Sequence, residues 1–211
     1  MSQPILIDND ALLKLARYGL LDEAIALFEC TPTDVRVLAT AKYRLLPAKN
    51  RLRLCKDEES AARLEAFLKT SNPLDAGLAD PDLLDVLNAV PNIDSGEALM
   101  FAVGANNRDT LVITGDKRSL VALCSHDSVA HVSNALADRV VSMEVLFSIL
   151  VEHQFAHVQE CVRLKPNVDK ALSIVFGVTS PADFNSVQEG LNSYIRHLRN
   201  VTGALLYPTP R

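Results

Sequence analysis

Asp94-Ser95-Gly96-Glu97-Ala98-Leu99 and, a little further on, Thr110-Leu111-Val112-Ile113-Thr114-Gly115-Asp116 are the stretches that decide the fold. An acid followed three residues later by Glu97, ahead of an apolar run, is the signature of a capped helix start. The predicted helix continues to about residue 105, and 106–109 turn the chain. Residues 110–114 then read as a β-branched strand that ends in a carboxylate, Asp116.

The same phrase occurs upstream, where Ile5-Leu6-Ile7 runs into Asp8. Leu12, Leu13 and Leu15 follow at helical spacing, with Gly19 as the stop. A second helix is expected over 21–29, broken by Thr31-Pro32-Thr33, and a strand over 35–40. Helices follow over 57–69, ended by Asn72-Pro73, and over 81–90, where Pro81 suits the first turn. Beyond Asp116 the pattern gives a helix over 117–124, a strand from either 129–132 or 139–142, and an amphipathic helix over 143–153.

Alternating strands and helices predict an α/β protein, a three-layer α/β/α sandwich around a mostly parallel sheet. From about residue 154 the strand signals stop. Residues 158–176 and 182–200 read as helices, so a first domain over 1–153 and a helical appendage with a short tail over 154–211 are expected.

Composition narrows the class. With 211 residues, 48% of them hydrophobic, the chain can bury a sizeable core. No apolar run reaches the roughly 18 residues a membrane span needs, and a cytoplasmic protein with no membrane partner is expected. Cys30, Cys55, Cys124 and Cys161 are scattered, with no C-x-x-C pair, and read as reduced thiols. A net charge of -5 argues against a surface that coats nucleic acid all round, but 36–56 hold seven Lys or Arg and no acid, which suits a local phosphate path. The bland reading of that run is a solvated face balanced by Asp57-Glu58-Glu59.

Ligands of an open parallel sheet gather beyond the carboxyl ends of its strands, so strand-end acids converge however far apart they lie in sequence. Asp8, Asp10 and Asp116 hold such positions, and Glu97, one turn after Asp94, is aimed at the same rim. Carboxylates brought together raise one another's pKa unless a cation neutralises them, and hard oxygen donors favour Mg²⁺ or Mn²⁺. Such an ion suits phosphodiester hydrolysis by water, with Thr114, Lys117 and Arg118 flanking the site. Singly, Asp10, Asp94 and Asp116 also fit helix N-caps, and Asp94 with Glu97 a capping box. Taken jointly, the set favours a metal site. His153 and His157 lack the H-E-x-x-H order of a zinc helix, and Tyr194, Arg196, His197 and Arg199 read chiefly as a packed, solvated helix.

Ile5-Leu6-Ile7-Asp8-Asn9-Asp10-Ala11-Leu12-Leu13, Ile93-Asp94-Ser95-Gly96-Glu97-Ala98-Leu99 and Leu111-Val112-Ile113-Thr114-Gly115-Asp116-Lys117-Arg118 together, in this order, resemble the PIN-domain family over roughly residues 4–150. The resemblance implies a PIN-like fold and a metal-dependent endoribonuclease. Asp8, Glu97 and Asp116 would be its catalytic metal ligands, with Asp94 a further ligand and Asp10 a supporting acid. Lys42, Arg44, Lys117 and Arg118 are the candidate substrate contacts, and RNA is the implied substrate. By analogy, the biological role is a toxin with an antitoxin or other protein partner, or a phage-defence effector, with homo-oligomers open. The family's additional glutamate has no counterpart in Ala41-Lys42-Tyr43-Arg44-Leu45. A non-catalytic PIN-like binding module therefore stands as the alternative, and a receiver-like or hydrolase-like α/β domain as a weaker third.

Overall fold

Ile5–Ile7 forms β1 and Leu111–Thr114 forms β4, and every residue of both strands is buried. Strands covered on both faces read as unbroken apolar runs, which is how these two appear in the sequence. β2 (Val35–Val37), β3 (Asn72–Pro73) and β5 (Val140–Ser142) complete a five-stranded, all-parallel sheet in the order β3-β2-β1-β4-β5. The register sets Ile5 opposite both Val35 and Leu111, and Val112 opposite Val140. The structure, a computed structural model, describes residues 3–209. Met1 and Ser2 of the expected first domain, and Pro210 and Arg211 of the expected tail, lie outside the described residues.

The helices are α1 (Asn9–Tyr18), α2 (Leu21–Ala26), α3 (Ala41–Leu45), α4 (Leu52–Cys55), α5 (Glu58–Thr70) and α6 (Pro81–Asn88). They continue as α7 (Ser95–Asn106), α8 (Lys117–Ser125), α9 (Ala130–Ala135), α10 (Met143–Leu164), α11 (Lys170–Val175) and α12 (Phe184–Thr202). Right-handed crossovers put the helices that follow β1 and β2 on one face of the sheet and those flanking β4 on the other. The arrangement is compatible with three layers. α7 is apolar all round because it is covered twice, by the sheet and by α6 and α9. Gly104 permits the close approach: a Cβ there would lie 3.0 Å from Val112 Cγ2 and 3.1 Å from Leu136 Cδ2.

Several elements depart from the sequence reading for identifiable reasons. The strand expected over 35–40 stops at Val37, and the basic run beyond it coils into α3 and α4. Asn72-Pro73 ends α5 as expected, yet also forms the edge strand β3. Proline is tolerated there because an edge strand has an N–H side that pairs with nothing. Of the two candidates for the last strand, 139–142 supplies it as Val140–Ser142, while 129–132 is helical. The helix expected over 143–153 is interrupted where expected, at Gln154 (φ -145°, ψ 49°), after which α10 resumes to Leu164; the helix expected over 158–176 is divided, with α11 separate.

The helices beyond the kink share one apolar cluster with the sheet. Val158, Val162, Leu172, Phe176, Val187, Leu191 and Ile195 are buried in the same core as Ile5 and Val141. α12 packs on α10 and α8, and past it the chain returns to the sheet: Asp138 N donates to Ala204 O at 2.7 Å and Tyr207 N to Val140 O at 2.8 Å. Among the described residues, no helix is long and apolar enough to cross a membrane.

Phe147 of α10 joins the two halves of this core, meeting Tyr18 of α1 edge-on at 5.7 Å and Phe176 at 6.1 Å while fully buried. Phe147→Ala is expected to cost about 3–5 kcal/mol in urea unfolding, as large cavities do. Tyr43→Ala, at a position 78% exposed, should stay within about 0.5 kcal/mol of wild type.

Candidate functional site

β1 and β4 are neighbours, but the chain leaves β1 toward β2 and leaves β4 toward β5. The crevice beyond their carboxyl ends is thus the topological switch point, where open α/β sheets bind ligands. Asp8 extends the ladder by one step, its N–H donating to Ile113 O at 3.0 Å. Its carboxylate then works on two elements at once. Oδ1 accepts from Ala11 N at 2.6 Å, capping α1, and Oδ2 accepts from Thr114 Oγ1 at 2.5 Å and Gly115 N at 2.9 Å. A Cβ at Gly115 would sit 2.3 Å from Asp10 Oδ2, so a larger residue there would push the Asp10 carboxylate aside.

Asp94 and Glu97 form the capping box that their spacing predicts. Asp94 Oδ1 accepts from Gly96 N (2.8 Å) and Glu97 N (2.9 Å), and Glu97 Oε2 accepts from Asp94 N at 2.8 Å. Asp116 caps α8 through Arg118 N at 2.8 Å and pairs with the Arg118 guanidinium at 2.9 Å. Asp10 pairs with Lys14, which reaches Asp169 as well, both at 2.8 Å.

The fold brings all five acids to one place. Asp8, Asp10, Asp94, Glu97 and Asp116 line a single pocket of about 160 Å³, together with Asn9, Leu38, Arg44 and Met100. Among the described residues, however, no three Asp, Glu, His or Cys side chains form a ready-made ion cage. The reason is visible in the bonds above: each carboxylate is drawn toward a helix amide or a cation of its own.

Burial dominates the electrostatics. It pushes the Asp8 carboxyl up to about 6, against the Thr114 hydroxyl and the Ala11 and Gly115 amides, with repulsion from Asp10 adding to the rise. Burial likewise pushes Glu97 up to about 7, opposed by the Asp94 amide and the Ser119 hydroxyl and helped by Asp94 and Asp116. Asp116 goes the other way: burial raises it, but hydrogen bonds and charge from Arg118 outweigh that and hold it below the usual carboxylate range. Only oxygen donors line the pocket's acidic side, and Asn9 Oδ1 is buried there without a hydrogen-bond partner among the described residues. By donor chemistry the set fits a hard divalent cation, which would favour the ionised forms that burial disfavours.

The expected cations divide. Arg44 lines the pocket, whereas Lys42, exposed on α3, is not among the residues that line it and lies within electrostatic reach of Glu65; neither has an ion pair among the described residues. Arg118 is engaged with Asp116. Lys117 pairs with Glu144 at 2.5 Å and lies 5.1 Å from the Tyr194 ring centre. Thr114 orients Asp8 as well as receiving the Asp116 amide at 3.2 Å. Glu144, 3% exposed in the first turn of α10, was missed by the sequence reading. Its signal was present, since Val140-Val141-Ser142 also runs into an acid. His157 faces Glu23 at 3.5 Å and Cys161, not His153.

The raised carboxyls have a consequence for stability. A group whose folded pKa lies above its unfolded value stabilises the fold while protonated and loses that contribution as pH rises through the folded value. For Glu97, rising from 4.5 to about 7, the loss falls between those two values. In chelator, wild type should therefore lose about 2–3 kcal/mol relative to Glu97→Gln between pH 5 and 8 in urea melts. Parallel curves for the two proteins would show that Glu97 titrates normally.

Compared with family models, with curated proteins and with solved structures, the chain shows no match.

Proposed function

We propose that this protein is a PIN-like, Mg²⁺- or Mn²⁺-dependent nuclease that hydrolyses RNA phosphodiester bonds. The observation that carries the reading is the gathering of Asp8, Asp10, Asp94, Glu97 and Asp116 around one small pocket at the switch point, with Arg44 at its wall. Asp8, Glu97, Asp116 and Asp94 are the groups that would hold an ion, and Asp10 supports them. A divalent ion bound there supplies charge neutralisation and an activated water. Arg44 and Lys42 offer positive charge to the incoming phosphate backbone. Asp116 would share its carboxylate between such an ion and Arg118, whose exposed guanidinium would add positive charge beside the pocket.

RNA as substrate rests on the resemblance of the three quoted segments to PIN-domain proteins. So do an antitoxin-like partner and a role as toxin or phage-defence effector, while a cytoplasmic setting rests on the lack of a membrane-length apolar run.

One observation favours a second reading, a binding module without catalysis. Asp8, Asp94 and Asp116 each already accept from the N-terminal amides of a helix, and α3 brings no acid to the pocket. The two readings separate cleanly in one experiment. Structured and unstructured RNAs are incubated with purified protein in Mg²⁺, in Mn²⁺ and in EDTA, alongside Asp8→Asn and Asp116→Asn. The nuclease reading expects cleavage that EDTA abolishes and each substitution lowers by about a hundredfold or more. Cleavage that persists in both variants rejects this site. Absence of cleavage together with no metal-induced rise in melting temperature leaves the binding module.

A further inference from the structure

Past the break at Gln154, α10 carries His157 and Cys161 one turn apart, and residues at that spacing share a helix face. They meet there: Cys161 Sγ lies beside the ring, 3.8 Å from His157 Nε2 and 4.0 Å from Nδ1. α2 packs against α10, and from it Glu23 brings Oε1 to 3.5 Å from the same Nε2. One imidazole nitrogen therefore has a thiol and a carboxylate as its neighbours. Glu23 acts on the thiol as well. Burial raises the Cys161 pKa, and the charges of Glu23 and Glu160 add to that rise against Arg63 and Lys165. Glu23 also lines an open cleft with Asp22, Glu29 and His153, so the group faces solvent through an acidic mouth. None of Glu23, His157 and Cys161 belongs to the carboxylate pocket.

We infer that Glu23, His157 and Cys161 bind one zinc ion, with water completing a tetrahedron, and that the ion ties α2 to the outer half of α10. Donor chemistry selects the metal. Imidazole, thiolate and carboxylate together suit zinc, whereas Mg²⁺ and Mn²⁺ favour oxygen ligands alone. Spacing agrees. The bond lengths of zinc to nitrogen, oxygen and sulfur put the donors of a tetrahedral site roughly 3.3–3.6 Å apart. The carboxylate separation falls in that range, and the sulfur lies a few tenths of an ångström beyond it. The three side chains do not enclose an ion as they stand. What closes the site is a turn of the exposed His157 ring that aims Nε2 between sulfur and carboxylate. On binding, the Cys161 thiol gives its proton to solvent and becomes the thiolate ligand, so the ion offsets the burial and the acidic surroundings that keep the thiol protonated. The inference does not depend on the nuclease reading.

The test is spectroscopic and uses the full chain, reduced and stripped with chelator. Co²⁺ is titrated in as a stand-in for zinc, because a thiolate bound to tetrahedral Co²⁺ gives a charge-transfer band in the near ultraviolet, which ions held by carboxylates alone do not. The band should appear, and Zn²⁺ should bleach it by competition. Cys161→Ser should remove the band, and His157→Gln and Glu23→Gln should each weaken Zn²⁺ binding by about tenfold or more. Zn²⁺ should also raise the melting temperature less in Cys161→Ser than in wild type. All three substitutions lie at exposed or half-buried positions, and melts in chelator verify that the variants fold. Absence of the band, a band that survives in Cys161→Ser, or Zn²⁺ affinity unchanged by His157→Gln or Glu23→Gln overturns the site and leaves Glu23 and His157 as an ordinary surface ion pair. If the band behaves as expected and RNA is never cleaved, the nuclease reading falls and the zinc site stands. If RNA is cleaved and the band is absent, the zinc site falls alone.

Discussion

The Asp8 carboxylate is the joint on which this molecule turns. It belongs to the step after β1, yet its oxygens hold the first turn of α1 and the last residues of β4, through Ala11, Thr114 and Gly115. Two neighbouring parallel strands are thereby fastened at the carboxyl ends, where their backbones would otherwise diverge into separate crossovers. The fastening group is an acid with 6% exposure, and burial works against its charge. A hydroxyl and two amides offset that cost, so the same residue that closes the fold also carries a stored electrostatic demand.

That demand extends across the pocket. Asp94, Glu97 and Asp116 are each bound to a helix N-terminus, where a carboxylate is favoured by unsatisfied amides. Capping and ion binding therefore draw on the same carboxylates, and neither role excludes the other where one oxygen keeps its lone pairs, as in Asp94, whose Oδ1 takes both helix amides. The balance is local. Asp8 has three donors and little freedom, whereas Asp116 is restrained chiefly by the exposed Arg118 side chain and is the acid best able to move.

The sequence announces the parts of this architecture that repeat a short phrase. Apolar runs ending in Asp8 and Asp116 identify the two central strands because strands buried on both faces need no alternation. The capping box at Asp94 and Glu97 is equally local, and so is the glycine stop at Gly19 (φ 79°). What sequence hides is whatever depends on a distant partner. β3 is a strand only because β2 lies beside it, and two residues of Asn-Pro carry no periodicity. That Lys117 meets Glu144 and Tyr194 is equally hidden, because both come from elements far along the chain. The break at Gln154 falls where the sequence reading ends its helix, although neither proline nor glycine marks it.

The return of the chain to the sheet at Leu206 shapes how this protein can meet its neighbours. With the Val140 carbonyl already taken by Tyr207, the β5 margin offers little backbone for an incoming strand to zip onto. At the opposite margin β3 is two residues long, and Pro73 has no N–H to give. Strand-to-strand recruitment, the commonest route to runaway self-association, is thus discouraged at both ends of the sheet, and assembly is left to side-chain surfaces that can be selective.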